Sequence, residues 1–185
     1  MKRILLAGAV LALLAPATAA AKPTNTDKTN AAKECKAERG TTAATREAFR
    51  VKYGTNKNGK NAFGKCVSRR SKAEEAQNEA AAKNAAKECK AERAADPAAF
   101  AQKYGTNKNK RNAYGKCVSS KAKAAKAKSD EADAAKIKAR KSAAKECAAE
   151  RKTLGREAFA AKYGTNKNKR NAFGKCVSKA AKTQS

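Results

Sequence analysis

The sequence predicts an all-α protein in which three small disulfide-stapled modules, each of three short helices, are joined by Ala/Lys-rich helical connectors. Three observations point to it. One unit of about 35 residues occurs three times, each copy carries two of the six cysteines, and the segments between copies consist of strong helix formers without Gly or Pro.

Copy one spans residues 31–68, copy two 85–119 and copy three 143–178, with connectors at 69–84 and 120–142 and a tail at 179–185. From the Phe to the second Cys the spacing is 17 residues in every copy (Phe49 to Cys66, Phe100 to Cys117, Phe159 to Cys176). Upstream it varies: Arg39 to Phe49 is 10, Arg93 to Phe100 is 7 and Arg151 to Phe159 is 8. All length variation therefore falls in one linker, which is read as an exposed loop between packed elements.

Each element has its own signal. The first helix is Ala-Ala-Lys-Glu-Cys-x-Ala-Glu-Arg, mostly strong helix formers. The second is plainest in copy two, where Asp96 caps, Pro97 takes the first helical position and Phe100 and Tyr104 share a face. Gly54, Gly105 and Gly164 end it, and the Thr-Asn-Lys-Asn that follows is turn chemistry. The third helix starts near Asn61, Asn112 or Asn171 and sets Phe63, Cys66 and Val67, or their counterparts, on one stripe. Gly64, Gly115 and Gly174 lie inside it at a cost of about 1 kcal/mol each against Ala, which implies a close helix approach beneath them.

The expected core of copy one is Phe49, Tyr53, Phe63, Val67 and a Cys35–Cys66 bridge, repeated in the other copies. Four apolar side chains at roughly 1.5 to 3 kcal/mol each do not offset the ordering of a whole module. A staple closing a loop of about 30 residues adds roughly 3 to 4 kcal/mol. The disulfide candidates are Cys35, Cys66, Cys89, Cys117, Cys147 and Cys176; repetition favours pairing within each copy, although spacing alone leaves the other connectivities open.

The cysteines fit what precedes them. Lys2 and Arg3, an apolar run from Ile4 to Leu14 and small residues around positions 17–21 read as a signal peptide over residues 1–21, with 22–30 as a flexible segment after it. The run is too short to span a bilayer. Secretion beyond the cytoplasm, into an oxidising compartment, is the expectation.

The connectors show no broad apolar stripe and are read as solvated helical rods. Their Cys-to-Cys separations, 23 and 30, differ by seven residues, nearly two turns, so successive modules are expected at roughly 35 and 45 Å with similar rotation. Their Ala/Lys composition resembles linker-histone tails in composition alone, and an export signal argues against a chromosomal role.

The chain carries 44 Lys and Arg against 16 Asp and Glu. Between the Phe and the second Cys every copy has five cations and no acid. The candidate anion-binding residues are Lys52, Lys57, Lys60 and Lys65 beside Arg50; Lys103, Lys108, Lys110, Arg111 and Lys116; and Lys162, Lys167, Lys169, Arg170 and Lys175. A cationic, amide-rich loop opening into a helix N-terminus suits anions, and three such loops add avidity on a polymer. Glu34, Glu38 and their counterparts read as a helix-surface network with these lysines.

Catalysis is not expected: there is no His, and neither a carboxylate pair nor a phosphate loop is present. No cofactor, metal or small-molecule substrate is expected either, because close Cys pairs and carboxylate ligands are lacking. The expected partner is a polyanion: an anionic envelope or wall polymer, lipid headgroups or nucleic acid, bound by a monomer. The alternatives are a structural spacer or protein-interaction array, and a cationic membrane-active factor, for which the helices lack the needed apolar face.

Overall fold

The computed structural model describes residues 22–184; the expected signal peptide lies outside them. Seven helices follow one another: α1 (Asn25–Arg39), α2 (Ala43–Tyr53), α3 (Ala62–Ala95), α4 (Pro97–Tyr104), α5 (Ala113–Leu154), α6 (Arg156–Tyr163) and α7 (Ala172–Thr183). No strand occurs among the described residues. The bridges are Cys35–Cys66, Cys89–Cys117 and Cys147–Cys176, each inside one copy and each with Cα atoms 6.0 Å apart.

The ends of the helices follow from side-chain chemistry. Asp96 accepts from the Ala99 amide at 2.9 Å with Pro97 behind it, as its residue types require. Upstream of copy one the reading changes. Within residues 22–30, expected to be flexible, positions 25–30 form the first turns of α1: Thr24 and Asp27 form a reciprocal capping box, and Asp27 also accepts from Asn78 of α3 at 3.0 Å. The Asp27 carboxyl is held below its ordinary value, chiefly by the Thr24 hydroxyl.

Each connector is the middle of one unbroken helix. α3 and α5 run 34 and 42 residues, about 51 and 63 Å, fusing the third element of one copy to the first of the next. Because a staple sets the first and third helices of a copy antiparallel, every fused helix reverses direction. α1, α3, α5 and α7 therefore alternate, and α5 comes back along α3 (Lys126 meets Glu74, Ser129 bonds Gln77 at 2.9 Å).

Two expectations are corrected by this packing. The connectors are not solvated rods: Ser71, Glu74, Ile137 and Ala139 are buried in them. Polar contacts and small residues make that seam, so a search for a broad apolar stripe misses it. Nor do the copies stand in line. The seven extra residues between Cys117 and Cys147 carry α5 about 10 Å further than α3. Copy three thereby overshoots the Cys35–Cys66 bridge and lies against α2.

The cores reflect this. Around Cys35–Cys66 gather Phe49, Tyr53 and Ala62, with Phe63 and Val67 at the edge. Around Cys89–Cys117 there are only Phe100 and Ala113, with Tyr104, Tyr114 and Val118 at the edge. Around Cys147–Cys176 gather Phe159, Phe173, Val177, three alanines of copy three, Ala181 of the tail and also Ala48 of α2. The largest cluster spans two copies.

The expected loop between first and second helices is largely helical too. Phe49 is the seventh residue of α2, whereas Phe100 and Phe159 are the fourth of α4 and α6. Copy one's insertion is thus chiefly an added turn, capped by Thr42 on the Thr45 amide at 3.2 Å and entered through Gly40 at φ +59°.

Candidate polyanion interface

The loop after each second helix is built identically. Asn61 accepts from the Thr55 amide at 3.1 Å and donates to the Thr55 hydroxyl at 2.7 Å; Asn112 with Thr106 and Asn171 with Thr165 do the same. Asn58, Asn109 and Asn168 each accept from the amide two residues on. The left-handed position falls on Gly59 (φ +65°), Lys110 (+54°) and Lys169 (+55°) instead of on an Asn. Gly54, Gly105 and Gly164 end their helices with extended backbone; glycine is needed there because a Cβ would lie 2.5 to 2.6 Å from the carbonyl four residues back.

One consequence concerns anions. With its side chain spent on the loop, the Asn at the start of α3, α5 and α7 makes no side-chain cap. The first turns keep their positive end uncapped, beside Lys60 and Lys65, Arg111 and Lys116, or Arg170 and Lys175, all exposed.

Other cations from the loop stretch are engaged internally. Lys52 bonds Glu38 at 2.7 Å, Lys103 bonds Glu92 at 2.6 Å and Lys162 bonds Glu150 at 2.7 Å, and each lies over the next Tyr ring. Lys110 and Lys169 donate to the Gly105 and Gly164 carbonyls at 3.0 Å. Lys57, Lys108 and Lys167 are exposed at the loop tips. The expected glutamate network is present, and in copy one it is dense. Glu38, 3% exposed at its side chain, accepts from Lys52, Tyr53, Arg70 and, from the far part of α5, Arg140 at 3.1 Å. Burial pushes its carboxyl up, but Lys52, Arg70 and Tyr53 outweigh it and hold it below the ordinary value. Burial, with Glu38 beside it, pushes the Tyr53 hydroxyl up to about 12.

The densest free positive charge lies elsewhere, on copy one. Arg39 at the end of α1, Arg46 and Arg50 on α2 and Lys60 in the loop line a concavity of about 620 Å³ floored by Phe49 and Phe63. Arg39 stacks 5.5 Å above the Phe63 ring. A second concavity, of about 520 Å³, shares Arg39 and Arg46 and adds Lys33, Lys36 and Lys141. No carboxylate lines either one. Only Lys60 and Arg50 among these seven fall in the stretch from Phe to Cys that the sequence singled out. Arg46 directly follows the added turn of α2 and Lys141 arrives on α5, so sequence spacing could not bring them together.

The glycines of the third helices also part company. Gly64 and Gly115 have nothing within 4 Å of where a Cβ would stand, contrary to the close approach expected; only Gly174 is closely covered, by Val51 of α2 at 2.5 Å. Compared with known proteins, the chain matches no family model, no curated protein and no solved structure. Among the described residues no helix is long and apolar enough to cross a membrane, and three disulfides fit an oxidising environment.

Proposed function

We propose that the chain is an exported, non-catalytic array of three stapled modules that binds polyanions outside the cytoplasm, with the groove of copy one as its principal site. The observation that carries this reading is the convergence of Arg39, Arg46, Arg50, Lys60, Lys33, Lys36 and Lys141 on two adjoining concavities without a lining carboxylate. Arginine forks suit phosphate, sulfate and carboxylate oxygens, and a run of cations along a groove suits a linear polymer better than a single small anion. The exposed cations at the starts of α3, α5 and α7 extend the contact along the same polymer.

The chain doubles back at copy two, which favours this compact binding reading over a linear spacer. The test is a titration with heparin, duplex DNA and an anionic wall polymer at two ionic strengths. Micromolar binding that weakens steeply with salt is expected. Replacing Arg39, Arg46 and Arg50 together by Ala should cost more than tenfold, and replacing Lys57, Lys108 and Lys167 much less. Absence of micromolar binding at low salt, or equal effects of the two triple variants, overturns the reading.

A further inference from the structure

The contact between copies one and three is a specific one. Glu47 on α2 takes the Arg151 guanidinium with both oxygens, at 2.6 and 2.7 Å. Arg151 itself stacks 4.6 Å above the Phe173 ring. Ala48 enters the cluster of Phe173 and Val177, and Val51 sits on Gly174. The acceptor is an arginine over an aromatic ring beside a bare glycine; the donor is a helix face reading Glu, Ala and, one turn on, a small apolar residue.

Copy two displays the same acceptor without an occupant. Arg93 stacks 5.0 Å above the Tyr114 ring and is exposed, with no carboxylate bonded to it among the described residues. Gly115 beside it opens on empty space. Arg111, Lys116 and Lys123 line the same concavity, so the face is electrically suited to an acidic donor. Arg39 of copy one belongs to the groove already described.

The donor is duplicated as well. Arg46-Glu47-Ala48-Phe49 of α2 recurs as Arg156-Glu157-Ala158-Phe159 of α6. Glu157, Ala158 and Ala161, which correspond to Glu47, Ala48 and Val51, are all exposed, and Glu157 holds no cation among the described residues. α4 has no such face, since Ala98 and Gln102 stand at the positions of Glu47 and Val51.

We propose that α6 of one chain docks on the Arg93–Tyr114–Gly115 face of a second copy of the chain, repeating between molecules the contact α2 makes within one. Donor and acceptor are different surfaces, so each contact is head-to-tail, and the association builds open chains or closed rings, of which a pair making the contact twice is the smallest. Ala161 gives less apolar contact than Val51, which makes this contact weaker than its internal counterpart. The surplus of 28 positive charges opposes it at long range. Raising salt from 0.1 to 0.5 M shortens the screening length from about 10 to roughly 4 Å and removes most of that repulsion, while a stacked bidentate pair at the contact is screened less. The sign is opposite to that of polyanion binding, so the two proposals fail separately.

Sedimentation velocity on the full, oxidised, polyanion-free chain tests it. The weight-average mass should rise with chain concentration, more at 0.5 M than at 0.1 M NaCl. Glu157→Arg and Arg93→Glu should each weaken association more than tenfold at unchanged helical content, both positions being exposed. The double variant should regain it. An equal mixture of the two single variants should stop at one-to-one pairs, because one supplies only an acceptor and the other only a donor. A chain that stays monomeric at both salts, single variants that associate like the parent, or a double variant that fails to recover overturns the proposal.

Discussion

Glu38 and Glu92 hold the same place in copies one and two and make the same local bonds, to a lysine and a tyrosine of the second helix. Their surroundings differ. The Glu38 side chain is 3% exposed and shared with Arg70 and Arg140, whereas that of Glu92 is 30% exposed and meets Lys121 at 3.5 Å. Copy one is packed between α3, the returning α5 and copy three, while copy two forms the bend where the chain turns back. Repetition of sequence thus repeats local geometry, but what each bond contributes is set by neighbours far along the chain.

The sharpest way to break the comparison is to remove both carboxylates. Glu38→Ala strands three half-buried cations and a buried tyrosine and should cost about 3 kcal/mol, read as a lower denaturant midpoint. Glu92→Ala should lower the midpoint far less, since Glu92 is itself 30% exposed and its nearest cation, Lys103, is well exposed. Acid adds a second reading. With its folded pKa lowered, Glu38 contributes stability that is complete above the unfolded value of about 4.5 and is lost as pH falls through the folded value. Glu38→Ala should therefore flatten the stability profile below that pH; an unaltered profile would show that Glu38 is not the junction described.

Opening a staple should separate the copies next. Replacing Cys89 and Cys117 by Ser should cost about 3 kcal/mol and raise amide exchange throughout α4, because little beyond Phe100 and Ala113 is buried there. The same change at Cys147 and Cys176 should leave part of α7 protected, since α2 still packs on it. Equal loss of protection in α4 and α7 would contradict this.

Glycine gives a change of sign. Gly174→Ala drives a methyl into Val51 and should destabilise by about 1 to 2 kcal/mol. Gly64→Ala and Gly115→Ala, with open space above them, should stabilise by about 0.5 kcal/mol through helix propensity. Thermal midpoints measured on dilute samples at low salt decide it.

One further effect opposes that of Glu38. Glu74 is buried in the α3–α5 seam with one oxygen unpartnered and Lys126 no nearer than 3.5 Å. Burial pushes its carboxyl up despite Lys126, so the ionised form costs stability above the unfolded pKa and the cost is relieved as pH falls. Glu74→Gln should stabilise the protein at pH 7 by up to about 1 kcal/mol; a loss of stability would mean Lys126 dominates the site.

Much of the local structure was legible. Asp96 and Pro97 announce α4, the constant spacing from Phe to Cys marks a packed unit, and the recurrence of Glu and Lys foretells the ion pairs on Glu92 and Glu150, though not the tyrosine hydroxyls that join them. The longer insertion of copy one was visible only as length; that it forms a helical turn ahead of Arg46 was not, because Thr-Thr-Ala-Ala-Thr reads equally as loop. The groove escaped notice for a related reason. Its cations come from α1, α2, a loop and α5, and no window of sequence contains them together.

By itself, then, the sequence determined which segments are helical, the Asp96–Pro97 start of α4, the cysteine pairs worth joining and the sign of the charge, since these depend on residues within about one module of each other. Only the tertiary structure decided that α5 returns along α3, that copy three rests on copy one and that three near-identical glycines and glutamates have unlike fates. The physical reason is that a polar seam of Ala, Ser, Asn and Glu carries no periodic apolar signal, so its existence depends on which surfaces the stapled reversals bring within reach.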